Sequence, residues 1–149
     1  MRVSVIGGSA VNEGVYETAR VLGTQLAERG HTVVSGGLTG VMEATARGVE
    51  QAGGTTIGII PGTDRDDANR FVDTVIATGL GDARNALVAL NGDAVIAVDG
   101  GPGTLSEIGH ARALDKPVAG LDTFDVPGVQ PVETPEAAVE YVEGAVETD

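Results

Sequence analysis

Short apolar segments alternate with longer amphipathic segments along the whole chain. The apolar segments are rich in valine and isoleucine, which is typical of strands that are covered on both faces of a sheet. The predicted strands are 2–6, 32–35, 55–60, 73–77, 94–98 and 117–120, with a further short strand near 129–132. Glycines follow most of these segments and end the strands.

The amphipathic segments between the strands predict helices. Apolar residues recur at helical spacing from residue 13 to residue 29, and Gly30 ends that helix. Thr39 is suited to cap the next helix, which runs to about residue 51. Further helices are predicted over 82–90, 104–114 and 135–146.

The alternation of strands and helices implies right-handed βαβ units and a mostly parallel sheet. The chain of 149 residues is long enough for one domain with a sizeable core, and no repeat or low-complexity tract marks a boundary. We therefore predict a single doubly wound, Rossmann-like α/β domain over 1–149. The polar loop 61–70 interrupts this pattern, and such loops in compact domains are functional or mobile.

Three glycine-rich turns directly follow predicted strands. They are 7–9 (GGS), 36–37 (GG) and 100–103 (GGPG). The carboxyl ends of parallel strands meet at one edge of the sheet, where doubly wound folds bind their ligands. The third turn leads into a helix at Thr104, and free N–H groups at a helix start bind anions such as phosphate. Tight packing alone would explain one such turn, but three of them predict a phosphate or nucleotide site.

Two charged side chains lie close to this predicted site in sequence. Glu107 lies one turn into the central helix and is a candidate for catalysis. Thr104 and Glu107 also have the spacing of a capping box, in which Glu107 would only bond the Thr104 N–H, so both interpretations stay open. Arg84 lies at the predicted start of a helix, where the helix dipole disfavours a cation, and this is a mild indication of function.

The charge of the chain excludes several classes of partner. Nine basic residues against 22 acidic residues give a net charge of −13, and Lys116 is the only lysine. Such a surface repels nucleic acid and anionic membranes, so we expect neither as a partner. The acidic, lysine-poor composition suggests adaptation to a salty cytoplasm, and an N-terminus that leads straight into a strand predicts no signal peptide.

Several familiar kinds of site are missing from the sequence. There is no cysteine, and no group of His, Asp and Glu has metal-ligand spacing, so we expect no metal. A P-loop needs a lysine in its glycine turn, but Lys116 lies at the far end of the central helix. The first turn lacks the G-x-G-x-x-G pattern and the second strand ends in Ser35 rather than an acid, so a dinucleotide oxidoreductase is not expected.

The glycine turns carry a resemblance to a known family. Residues 100–107 (GGPGTLSE) resemble the PGGxGTxxE signature of the Lonely-guy, or lysine decarboxylase-like, phosphoribohydrolases. Residues 35–42 (SGGLTGVM) resemble the family's GGGxxGLM stretch. Asp99 replaces the proline that opens the signature, and Asn85 replaces the lysine of an Arg-Lys pair. With these departures the chain looks closer to a small sister group, which resembles the molybdenum-cofactor carrier proteins that bind a phosphorylated pterin.

The resemblance implies hydrolysis of a nucleoside 5′-monophosphate to free base and ribose 5-phosphate, with no cofactor required. Glu107 would activate water, and Arg84 would stabilise charge on the phosphate or the leaving base. The sister group implies the alternative, a non-catalytic carrier or sensor of a phosphorylated pterin or nucleotide. A homodimer with the central helices at its interface is also implied. The residues predicted to contact the ligand are Gly8, Ser9, Gly36, Gly37, Thr39, Gly40, Asn85, Gly100, Gly101, Gly103 and Thr104.

Overall fold

A computed structural model describes residues 1–148, and its central feature is a seven-stranded sheet. The strands are β1 (Arg2–Gly7), β2 (Thr32–Ser35), β3 (Thr56–Ile60), β4 (Thr74–Ala77), β5 (Ala94–Val98), β6 (Val118–Leu121) and β7 (Val129–Val132). The helices are α1 (Glu13–Glu28), α2 (Val41–Gln51), α3 (Asn85–Asn91), α4 (Pro102–Ala113) and α5 (Pro135–Glu147). Short 3-10 turns occur at Arg65–Asp67 and Gly81–Arg84.

The strand order is β4-β3-β2-β1-β5-β6-β7, and every neighbouring pair is parallel. The order reverses at β1 and β5, because the chain leaves β1 toward one side of the sheet and later leaves β5 toward the other. This topology confirms the predicted doubly wound, Rossmann-like α/β fold. The crevice between the carboxyl ends of β1 and β5 is therefore the expected place for a ligand.

Two apolar layers cover the sheet, as strands buried on both faces require. Val3 and Val5 of β1 belong to the layer under α1, α2 and α5. Ile6, on the opposite face, belongs to the layer under α3 and α4, which includes Val88 and Ile108. The alternation of neighbouring residues between the two layers follows from the two-residue repeat of a strand.

Helices α1 and α2 touch through their backbones. A Cβ atom on Gly23 would lie 2.1 Å from the carbonyl oxygen of Thr45, and one on Gly48 would lie 1.9 Å from that of Arg20. Only glycine permits this close approach at both positions. The contact fixes α2 against α1 and so holds the glycine turn before α2 beside the turn before α1.

The strand predictions agree closely with the structure, whereas some helix starts do not. Strands β2 and β5 have the predicted bounds, and the short strand β7 forms where it was expected. The cap predicted at Thr39 is wrong: α2 begins at Val41 after Gly40, and the Thr39 hydroxyl instead donates to the carbonyl of Ser9 at 2.8 Å.

Within residues 1–148, no helix has the length and apolar character needed to cross a membrane.

Candidate functional site

The first two glycine turns pack directly on each other at the carboxyl edge of the sheet. The amide of Val41 donates to the carbonyl of Gly8 at 3.0 Å, next to the Thr39 bond to Ser9. Gly40 has a φ of 65°, and a Cβ atom there would lie 2.3 Å from the Gly8 carbonyl oxygen. The contacts of Thr39 and Gly40 therefore shape the loop that carries Gly8 and Ser9.

The third turn leads into α4 two residues earlier than the sequence suggested. Gly101 is the N-cap residue, and Pro102 begins the helix, where its fixed φ is favourable. The Gly101 amide donates to the hydroxyl of Thr104 at 3.3 Å. The amides of Gly103 and Thr104 are the next two along and have no hydrogen-bond partner within residues 1–148. These two amides are thus open to an anion.

The three turns and the start of α3 enclose a cavity of about 210 Å³. Its lining includes most of the residues predicted for the site. The predicted residues in the lining are Gly8, Ser9, Gly36, Arg84, Asn85, Gly101, Gly103, Thr104 and Glu107. Gly37, Thr39, Gly40 and Gly100 lie in the same turns but outside the lining. Their predicted contact with a ligand stays a prediction.

Arg84 extends from the end of its 3-10 turn into this cavity and is only 8% exposed. Its guanidinium donates to the side-chain oxygen of Asn85 and, at 3.4 Å, to the carbonyl of Gly36. The Nε atom is buried without a partner, and Arg84 forms no ion pair within the described chain. Burial lowers the pKa of Arg84, while the nearby carboxylates of Glu107 and Asp82 raise it in part. The cavity therefore contains a cation with unused donors.

Glycine at position 36 makes room for this arginine. A Cβ atom on Gly36 would lie 2.8 Å from Nη2 of Arg84 and 2.8 Å from the sulfur of Met42. Both distances are shorter than normal contacts, so a larger residue would displace the guanidinium. The second glycine turn thus contributes in two ways: the carbonyl of Gly36 accepts from Arg84, and the missing side chain leaves space for the guanidinium.

Glu107 faces the same cavity from α4 and is 7% exposed. Its carboxylate makes no hydrogen bond within residues 1–148, and burial raises its pKa to about 7, opposed in part by the charge of Arg84. The capping-box interpretation of Glu107 is wrong, because α4 begins earlier and Thr104 occupies the third helical position. A buried carboxyl group that titrates near neutral pH suits general acid or base chemistry.

Asn85 connects the two helices that border the cavity. Its side-chain nitrogen donates to the hydroxyl of Ser106 at 3.2 Å, and that hydroxyl donates to the carbonyl of Gly103 at 2.8 Å. Its oxygen accepts from Arg84. Asn85 therefore holds Arg84 and the start of α4 in register.

The lining also includes residues that were not predicted for the site, among them Asp82 and Met42. Asp82 lies two positions before Arg84, where an acid in the first turn of a helix has an ordinary structural explanation. Met42 falls within the quoted glycine stretch, but its apolar side chain gave no chemical signal.

A further polar contact comes from Asn69, whose side-chain nitrogen donates to the carbonyl of Leu38 at 2.8 Å. This bond connects the polar loop 61–70 to the second turn.

Comparison with known proteins finds a family and several relatives. The model of the SLOG cluster4 family matches residues 1–148. An uncharacterized protein of Archaeoglobus fulgidus is 43% identical over 142 residues, covering 95% of this chain and 93% of that protein. The cytokinin riboside 5′-monophosphate phosphoribohydrolase of Mycobacterium tuberculosis is 32% identical over 125 residues, covering 78% and 67%. A probable enzyme of the same name from rice is 38% identical over 112 residues, covering 72% of this chain but only 46% of the rice protein.

Solved structures resemble the chain over nearly its full length. The molybdenum cofactor binding protein of Rippkaea orientalis has a TM-score of 0.92 at 33% identity, covering 97% of this chain and 96% of that one. The molybdenum cofactor carrier protein of Chlamydomonas reinhardtii has a TM-score of 0.90 at 32% identity, covering 99% and 98%. Together these matches confirm the resemblance both to the Lonely-guy enzymes and to the carrier proteins.

Proposed function

We propose that this chain, which belongs to the SLOG cluster4 family, hydrolyses the N-glycosidic bond of a nucleoside 5′-monophosphate. The products are the free base and ribose 5-phosphate. One observation carries the proposal: an unpartnered, buried carboxyl group and an arginine with unused donors share a cavity beside two open helix amides. The names of the Mycobacterium tuberculosis and rice relatives support the same reaction.

The phosphate of the substrate binds at the start of α4. The open amides of Gly103 and Thr104 donate to its oxygens, and the helix dipole adds to the attraction. Arg84 supplies the positive charge, which matters because the chain as a whole carries a net charge of −13. The turns at Gly8 and Gly36 line the same cavity and would contact the sugar.

Glu107 acts on the water that attacks the sugar. The water oxygen forms a bond to C1′ as the bond from C1′ to the base nitrogen breaks, and the transition state is similar to an oxocarbenium ion. The ionised carboxylate takes a proton from the water, and a proton is then delivered to the departing base. A pKa of about 7 keeps much of Glu107 ionised at neutral pH while leaving it able to return the proton.

Incubation with a panel of nucleoside 5′-monophosphates tests this proposal. The assay measures free base and ribose 5-phosphate at high salt, which screens the negative charge of the protein. We expect turnover that is lost in Glu107→Gln and retained in Glu50→Gln, the same change at an exposed helical position. Release of no base from any nucleotide by the wild-type protein would exclude the hydrolase.

The alternative is a carrier or sensor of a phosphorylated pterin or nucleotide. Specific support comes from the two carrier-type structures, which match this chain over 96% or more of both chains. Asn85, which replaces the lysine of the enzymes' Arg-Lys pair, is committed to holding Arg84 and Ser106. A carrier would bind a phosphorylated ligand without turnover, and Glu107→Gln would leave that affinity unchanged.

We also propose that the protein is a cytoplasmic homodimer that pairs through α3 and α4. Large apolar side chains are exposed on these helices, Leu90 at 52% and Leu105 at 46%, and at the C-cap of α4, where Leu114 is 44% exposed. Light scattering should give a dimer mass, and Leu90→Glu should give a folded monomer. A monomeric wild-type protein at micromolar concentration would contradict this assembly.

A further inference from the structure

The polar loop 61–70 follows β3 and interrupts the alternation of strands and helices. Within the described chain, none of its residues lines the small cavity. The loop nevertheless contacts both segments that place Arg84 in that cavity. One is the second glycine turn, whose Gly36 carbonyl accepts from the guanidinium, and the other is the 3-10 turn that ends at Arg84. The loop is therefore placed to affect the site through Arg84 rather than through a ligand contact of its own.

Asn69 makes the contact with the second glycine turn. Its side-chain nitrogen donates to the carbonyl of Leu38 at 2.8 Å and to that of Gly37 at 3.3 Å. Its backbone amide also donates to the carbonyl of Gly37, at 2.9 Å, and its side-chain oxygen accepts from the amide of Phe71 at 3.0 Å. Both donors and the acceptor of the side-chain amide are thus used. An ionised carboxylate in its place would face two carbonyl oxygens and lose both bonds.

The start of the same loop binds the segment that leads to Arg84. The carbonyl of Pro61 accepts from the amide of Gly81 at 3.0 Å. The next carbonyl, that of Gly62, accepts from the amide of Gly79 at 2.9 Å. Gly81 begins the 3-10 turn that ends at Arg84. The loop therefore fixes the backbone just before Arg84, while its other end holds the turn on which the guanidinium rests.

The guanidinium of Arg84 depends on the place of this turn. Its Nη2 reaches the carbonyl of Gly36 at 3.4 Å, which is long for a hydrogen bond, so a small movement of the turn would break the contact. Gly37 and Leu38, the two residues that Asn69 holds, directly follow Gly36 in the chain. Loss of the Asn69 bonds would therefore release the turn at the point where Arg84 meets it.

We propose that Asn69 is a positioning residue for Arg84. It fixes the second glycine turn, and with it the carbonyl of Gly36, so that the guanidinium is held in the small cavity. The inference rests on the proposed function, because it takes Arg84 to be the cation of the phosphate site. Misplacement of a binding group by a distant change weakens the interactions that depend on its position. The placement of Arg84 is nevertheless a property of the free protein and can be tested without a ligand.

NMR of the free protein tests the placement directly. The Nε–H resonance of Arg84 is identified by its disappearance in Arg84→Gln, and the burial of Nε makes the resonance sensitive to any opening of the cavity. We expect Asn69→Asp, which removes both side-chain donors at nearly constant size, to shift this resonance and to speed its exchange with water. Asn91→Asp is the matched control. Asn91 also donates to a backbone carbonyl, that of Leu87 at 2.8 Å, but lies at the far end of α3, so its variant should leave the resonance in place.

Titration with ribose 5-phosphate separates a positioning role from a purely structural one. We expect Asn69→Asp to bind about tenfold more weakly than the wild type. The double variant Asn69→Asp/Arg84→Gln should bind within about twofold of Arg84→Gln alone, because the positioned group is already gone. A residue that acted only through the stability of the fold would lower both affinities by the same factor.

Two results would overturn the inference: an unchanged Arg84 resonance in a folded Asn69→Asp protein, or equal losses of affinity with and without Arg84. Asn69→Ala removes the same donors without adding a charge, and it replaces Asn69→Asp in both experiments if that variant does not fold. Failure of the wild-type protein to bind ribose 5-phosphate would count against the proposed phosphate site alone. A resonance that shifts in Asn69→Asp but not in Asn91→Asp would still support the positioning of Arg84.

Discussion

Helix α3 has a cation at each end, and the two are held in opposite ways. At its C-terminal end Lys116 donates to the carbonyls of Ala89, Leu90 and Gly92. At its N-terminal end Arg84 is buried, its Nε has no partner, and its other nitrogens donate only to Asn85 and Gly36 within residues 1–148. The helix dipole favours a cation at the C-terminal end, where Lys116 lies, and disfavours one at the N-terminal end, where Arg84 lies.

We propose that this difference separates a cation that stabilises the fold from one that binds a ligand. All three donors of the Lys116 ammonium have backbone acceptors, so the lysine has nothing left for a ligand. This agrees with the expectation that no lysine is placed for chemistry at the glycine turns. Arg84 keeps donors free at a place where its charge costs stability, which is the pattern of a residue kept for an anionic ligand.

The largest expected effect is the loss of Arg84. Arg84→Gln removes the only cation that lines the small cavity within the described chain. We expect affinity for ribose 5-phosphate, and turnover if present, to fall about 10²–10³-fold. Calorimetry on Arg84→Gln and Lys116→Gln makes the comparison directly, since the second should bind as the wild type does. Equal losses in both variants would show that the two ends of α3 do not differ in function.

Glu107→Gln should stabilise the protein above neutral pH. The pKa of Glu107 is raised by burial from 4.5 to about 7, so the folded state holds a proton that the unfolded state releases. Wild-type stability therefore falls as pH rises through this window, by about 3 kcal/mol in total. Urea unfolding at pH 4 and pH 8 measures the free energy of unfolding. The variant should exceed the wild type in this quantity at pH 8 and not at pH 4. Parallel pH profiles would mean that Glu107 titrates normally.

Lys116→Met should destabilise the fold without affecting the site. The variant leaves three carbonyl groups at the end of α3 without their donor, and we expect a loss of about 2 kcal/mol. Thermal or urea unfolding measures it, with Arg112→Met as a control at a neighbouring cation that donates to one carbonyl. Weaker binding of ribose 5-phosphate in Lys116→Met would contradict the division of roles.

Gly36→Ala is the mildest test, because it perturbs Arg84 without removing it. The new methyl group would meet the guanidinium and the Met42 sulfur at 2.8 Å, so the arginine must shift. We expect roughly a tenfold loss of affinity for ribose 5-phosphate, equivalent to about 1.4 kcal/mol. Gly144→Ala, at a helical glycine with open space around it, should bind normally. A Gly36→Ala protein that also binds normally would show that the position of Arg84 is not critical.

Much of this site could be predicted from local sequence. The glycine turns end strands whose bounds were read nearly correctly, because short valine- and isoleucine-rich runs have few alternatives to a buried strand. The predicted start of α4 at Thr104 is wrong, because Thr104 is a good N-cap residue and Pro102 is an equally good first residue. That single misreading produced the capping-box interpretation of Glu107, which the earlier helix start removes.

The sequence by itself determined the parallel doubly wound fold, the three glycine turns and the absence of a lysine near them, because these depend on residue type and local periodicity. Only the tertiary structure decided which side chains meet. Arg84 reaches Gly36 across 48 positions of the chain, and Glu107 is buried beside it by the packing of α4 on the sheet. Burial changes the pKa of a carboxyl group, and burial is a property of the whole fold. The chemistry proposed for this site therefore arises from packing that no local pattern encodes.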